Sequence, residues 1–204
     1  MNPVASQIEK RLTNFSDEYR ALKEHALKYL QYCSAIDLEN TILIGHMPWV
    51  GPFAYAINLF PPAKESWFKK FRIAEHKNIP DVYRAFLRET NGCFVHGLSL
   101  FGLAPSMQTS PRVLDREKLQ CHDLSLANRD WIGDYAVDRD HFLFGGRAFS
   151  DKENIGYFFG PVIRALRKNG EVVGEWTSFS SFLRDELPAA ERFAEEAMSN
   201  DWWR

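Results

Sequence analysis

The sequence lacks most of the features by which a function is read quickly. Its three cysteines, Cys33, Cys93 and Cys121, lie far apart and form no C-x-x-C, so there is no framework for a disulfide-stapled secreted fold or a cysteine zinc site. The six histidines, at 25, 46, 76, 96, 122 and 141, make no HxH, HExxH or HxxxH pair, and no metal motif is written locally. There is no G-x-S-x-G. Neither sign of charge dominates: 25 Lys and Arg against 27 Asp and Glu leave −2, which excludes a nucleic-acid binder working by bulk electrostatics. A long apolar run is also missing. Residues 40–63 carry no charged side chain, but Gly45, Pro48, Gly51, Pro52, Asn58 and Pro61 interrupt them, and irregular backbone exposed to lipid is prohibitive. The opening residues show neither the basic patch nor the apolar core of a signal peptide. The expectation is a cytoplasmic protein that does not span a membrane and needs no cofactor.

What is present suits one globular domain with an extension: 204 residues, 45% of them hydrophobic, including sixteen Phe, seven Tyr and six Trp. Ile8, Leu12, Phe15, Tyr19, Leu22, Ala26 and Tyr29 recur at steps of four and three, which predicts helix. Pro3 suits its first position, and residues 13–17 offer a break. Such a stripe either packs on its own domain, the expected outcome, or forms a coiled-coil seam. Strands are expected at 41–44 and 53–60. Pro61-Pro62 then divides an N-terminal helical and apolar extension, 1–62, packed on the domain, from a main domain, 63–204.

Residues 64–77 read as a basic amphipathic helix and 81–90 as a second one, opened by Pro80 and closed by Asn91-Gly92. Residues 94–103 read as one strand and 106–128 as irregular, with a helix near 116–120. Strands follow at 142–144, 156–159, 162–167 and 171–176. Asn169-Gly170 is expected to make a two-residue hairpin turn with both positions at positive φ. Residues 178–187 form a helix, and Pro188 restarts another.

Candidate chemistry is sparse. Asp138-Arg139-Asp140-His141 lacks the Gly and distal Glu of a calcium loop, and no metal is expected there. Gly145-Gly146-Arg147 follows an apolar strand without a helix behind it, so a wide turn between strands is expected rather than a phosphate loop. Cys93 reads as a buried thiol. No catalytic residue is assigned, although a hydrolase using Asp138, Asp140 and His141 is one alternative. Charge is unevenly spread: from Glu171 onward eight acids face three bases, and residues 129–153 add six acids against four bases with Trp131 and Tyr135 among them. Acids set among aromatics suit docking onto a basic protein, the charge steering encounter and the rings anchoring it. Trp131, Asp134, Tyr135, Asp138 and Asp140 are therefore the expected partner contacts.

Several motifs occur in a telling order. Ile73-Ala74-Glu75 and Ile79-Pro80-Asp81-Val82-Tyr83-Arg84-Ala85-Phe86-Leu87 are followed by Asn91-Gly92, then Leu100-Phe101-Gly102, Phe142-Leu143-Phe144-Gly145-Gly146, Gly156-Tyr157-Phe158 and Trp176-Thr177-Ser178-Phe179-Ser180-Ser181-Phe182-Leu183. This order resembles the SUKH superfamily, which includes yeast cell-wall-synthesis regulators and many bacterial immunity proteins. The resemblance implies an α+β fold, a mostly antiparallel sheet flanked by helices, with the N-terminal helical extension and a C-terminal helix as additions. It also implies a non-catalytic protein-binding role: an immunity protein that neutralises a cognate toxin, possibly a nuclease, or else a regulatory scaffold. Pro80, Tyr83, Asn91, Gly92, Phe179 and Phe182 look like fold determinants under it.

Overall fold

The N-terminal stripe folds as two helices. In the computed structural model, which describes residues 3–47, 50, 54–71, 78–103, 121–147 and 154–199, α1 (Pro3–Thr13) starts on its proline and stops before Ser16. A 3-10 turn, Asp17–Tyr19, leads into α2 (Arg20–Tyr29). Ile8, Leu12, Tyr19, Leu22 and Ala26 are buried, and Phe15 and Tyr29 pack half-buried against the same core. The stripe is thus consumed within its own chain.

The fold is α+β, and among the described residues its sheet has nine strands in the order of the sequence with every adjacent pair antiparallel: β1 (Ser34–Ile36), β2 (Ile42–His46), β3 (Tyr55–Leu59), β4 (Cys93–Val95), β5 (Leu98–Leu100), β6 (Phe142–Arg147), β7 (Ile155–Phe159), β8 (Ile163–Arg167) and β9 (Val172–Trp176). The first three strands come from the section before Lys64, and β3 joins β4 through Ile57 opposite Val95. Of the basic segment, α3 (Glu65–Lys70) is helical, and residues 72–77 lie outside the described residues. Further helices are α4 (Asp81–Glu89), α5 (Leu124–Arg129) and α6 (Phe179–Ser199).

Four expectations need correction. Residues 94–103 are not one strand but the hairpin β4–β5, turned by His96 (φ +48°) and Gly97 (φ +85°). Histidine enters the left-handed region more readily than most residues, and it supplies the turn here without the usual Asn or Asp. Gly145-Gly146-Arg147 is no loop: it continues β6 past an irregularity between Leu143 and Gly145, a bulge that turns Phe144 to the core. At Asn169-Gly170 only the glycine has positive φ (+85°). Gly170 N donates to Arg167 O and Arg167 N to Glu171 O, a three-residue loop in which glycine takes the left-handed place. Pro188 interrupts nothing, since α6 runs through it. Pro188 is on the exposed side while Leu183, Leu187 and Ala190 are buried, so the carbonyl freed by its missing N–H faces water. The expected helix at 116–120 lies outside the described residues.

The core lies between the sheet and α1, α2, α4 and α6. Tyr83, Phe86, Phe144, Phe179 and Phe182 are each essentially inaccessible there. Arg147 reaches the same side, its guanidinium 3.4 Å from Glu186 and over the ring of Phe193.

A buried histidine pair joins α2 to the β4–β5 turn. His25 and His96 meet edge to face with ring centroids 5.3 Å apart, Tyr29 lies 4.8 Å from His96, and neither Nε2 has a hydrogen-bond partner among the described residues. On the α6 side, Glu191 accepts from Tyr29 and Lys28. Burial lowers both histidine pKa values despite Glu191, and the neighbouring His25 takes His96 further, to about 4. Unfolded histidine titrates near 6.5, so between about pH 4 and 6.5 the unfolded chain binds protons that the folded chain refuses. The stability these residues contribute is complete above that window and is lost as the pH falls through it. The urea midpoint is expected to drop between about pH 7 and pH 5, and to drop less in His96→Asn, whose side chain tolerates positive φ. Equal slopes in the two proteins would refute the assignment.

Candidate functional site

The opposite face of the sheet carries a row of small side chains. Phe94 pairs with Ser99, Ser99 with Gly146 and Gly146 with Gly156, and in antiparallel ladders such partners point to the same face. After Phe94 the row contains one serine and two glycines. The result is a hollow of about 350 Å³, lined among others by Phe94, Ser99, Phe101, His122, Trp131, Asp134, Tyr135 and Gly146.

Two stretches wall it. Gly102 N donates to His122 O and Gly102 O accepts from Leu124 N, both at 2.9 Å, which lays the chain entering α5 alongside the end of β5. Cys121 then turns inward, where burial pushes its thiol up to about 12, and His122 turns to the hollow, as adjacent residues of extended chain should. His122 itself remains partly open to solvent. Its Nδ1 lies 3.0 Å from Ser99 Oγ, and the rings of Phe94, Phe101 and Trp131 stand 5.1, 5.6 and 5.9 Å away. This partial burial lowers its pKa and favours the neutral ring.

Helix α5 aims the second stretch. Asp123 caps it, its Oδ1 accepting from Ser125 N at 2.7 Å. Asn128 fixes it to the start of β6, before the stretch that pairs with β5, by donating to Leu143 O at 2.7 Å and accepting from Leu143 N at 2.9 Å. A 3-10 turn, Trp131–Asp134, follows. Trp131 stands edge-on to Phe101 at 5.6 Å. Tyr135 crosses Gly156, packs on Phe158 at 5.2 Å and donates from its hydroxyl to Asn154 Oδ1 at 3.0 Å. Ala136 N bonds Lys168 O at 3.0 Å, tying the loop to the β8–β9 turn.

Of the five expected contacts, Trp131, Asp134 and Tyr135 come together on the lining of this hollow. Asp138 and Asp140 lie exposed in the same loop, off the lining. Phe94, Ser99, Phe101 and His122 line the hollow as well, and no local sequence pattern marks them. They come from separated segments, and only strand register brings them to one place. The Ser99–His122 pair is half of a nucleophile–base arrangement, but among the described residues no carboxylate hydrogen-bonds the imidazole. No group of three or more His, Cys, Asp or Glu among the described residues is placed to hold a metal ion. No helix there is long and apolar enough to cross a membrane. Comparison with protein-family models, with curated proteins and with solved structures finds no match for this chain.

Proposed function

We propose that this chain is a non-catalytic binding protein of the immunity class. In this reading it docks the rim of the hollow onto the basic groove of a cognate toxin and blocks it. The observation that carries the proposal is the convergence of Trp131, Asp134 and Tyr135 on one hollow, continued by the exposed Asp138 and Asp140. Trp131 and Tyr135 are already held by Phe101 and Phe158, so little side-chain entropy is lost when a partner covers them. The acids around them raise the encounter rate with a basic surface. The motif residues resembling the SUKH pattern, among them Tyr83, Phe179 and Phe182, are buried, which leaves recognition to the surface outside them.

The test is co-expression with candidate toxins encoded beside this chain. Rescue and a stable complex are expected. Trp131→Ala should weaken the complex by about 30-fold, in the range of an interface anchor. Asp134→Asn, Asp138→Asn and Asp140→Asn combined should mainly slow association and flatten its salt dependence. If no adjacent toxin forms a complex or is neutralised, the reading fails. A hydrolase reading has one observation in its favour, the Ser99–His122 bond. Loss of biological effect in Ser99→Ala with Trp131→Ala still active would support it instead.

A further inference from the structure

We infer that the hollow is a receptor for one arginine side chain of the partner. The inference rests on the docking reading above and deepens it. The floor of the hollow is bare backbone at Gly146. Among the described residues, a Cβ built there would meet Ile155 O at 3.2 Å and the Phe101 ring tip at 3.7 Å. On one side stand Phe101 and Trp131, and on the other Tyr135, whose ring tip would lie 2.8 Å from a Cβ on Gly156. The space above Gly146 is therefore a slot flanked by aromatic side chains.

The chemistry selects which group it takes. Ring faces are electron-rich and attract cations. Asp134 lies on the lining and is exposed, and a carboxylate can meet a guanidinium with a bidentate hydrogen bond. Lys168 also reaches the lining and offsets Asp134, so the preference for a cation comes chiefly from the rings. An ammonium is compact and strongly hydrated, whereas a guanidinium is flat, weakly hydrated and stacks. Arg147 also borders the hollow, but its guanidinium lies against Glu186 and Phe193 of α6, so among the described residues it does not occupy the slot.

The experiment titrates the full chain with Nα-acetyl-arginine amide and with its neutral isostere Nα-acetyl-citrulline amide, following the Trp131 indole N–H and the Gly146 amide by NMR. Arginine amide is expected to shift both signals with a millimolar dissociation constant, and citrulline amide to bind about fivefold or more weakly. Gly146→Leu, which fills the slot at a strand position with ordinary φ, should abolish the shifts. Asp134→Asn should weaken arginine several-fold and leave citrulline unchanged. Equal binding of the two probes overturns the inference, as do arginine shifts that survive Gly146→Leu. The two readings fail separately. Arginine binding without any toxin complex keeps the slot and removes the partner, while a toxin complex indifferent to Gly146→Leu keeps the partner and removes the slot.

Discussion

Phe179→Ala is expected to lower the stability of the folded chain by about 4 kcal/mol, the middle of the range for a buried aromatic cut back to its Cβ. Phe179 is 1% exposed and stands at the first position of α6. Its ring meets those of Tyr19, Tyr83, Phe86, Phe144, Phe159 and Phe182 at centroid distances of 5.2 to 6.1 Å. Those six come from the turn before α2, from α4, β6, β7 and α6 itself, so one side chain touches most layers of the core. A void at such a junction cannot close by moving one element, because each neighbour is held by the others. Domains of this size are stable by about 5–15 kcal/mol, so the loss is a large share of the total. Urea unfolding should show a lower midpoint with an unchanged slope, and Phe179→Leu should recover more than half of the difference. A loss below about 1.5 kcal/mol would show that the site collapses and that Phe179 is not the junction described.

Asn91→Ala is expected to cost about 3 kcal/mol by a different route, because it deletes a surrogate strand. The Asn91 amide donates to Leu103 O and its carbonyl accepts from Leu103 N, each at 2.8 Å, with the residue 5% exposed. Removing it leaves a buried donor and a buried acceptor unpaired, at about 1–3 kcal/mol apiece. The neighbouring Gly92 has φ +83°, and a Cβ there would lie 2.5 Å from Leu100 O, so the loop cannot shift toward Leu103 to compensate. The Leu103 amide should lose hydrogen-exchange protection in the variant while the α4 amides keep theirs. Retained protection at Leu103 would mean that the side chain is not its partner.

The parts of this fold that were legible in the sequence are those where burial repeats at the period of one element. The stripe from Ile8 to Tyr29 and the run Tyr83, Phe86 and Leu87 bury one helical side each, and the strands after Phe142 alternate or run apolar. What escaped was decided at single residues or between distant ones. The β4–β5 hairpin turns on a histidine, a residue that marks turns weakly. Gly145 and Gly146 read as a loop because glycine is poor strand material, yet here they are small because Ser99 O and Leu100 press on Gly145 and the hollow lies over Gly146. The site divides in the same way. Trp131, Asp134 and Tyr135 stood out as acids and aromatics crowded into one loop, whereas Phe94, Ser99, Phe101 and His122 join them through pairings that no local pattern records. Asp138 and Asp140 belong to the same crowding but lie off the hollow.

The order of the strands bears on how the chain is made. Every ladder in the sheet joins strands that are neighbours in sequence, so each can find its register from segments synthesised one after the other. The rings of α6 obey no such locality: Phe179 and Phe182 follow all nine strands, yet they cover Phe86, Phe144 and Tyr157. During translation α1, α2, α4 and the strands all precede α6, and for that interval the rings that Phe179 and Phe182 cover lack this last layer. The interval is one in which a nascent chain is open to aggregation and to chaperones, and it ends only when the segment from Phe179 to Leu187 clears the ribosome.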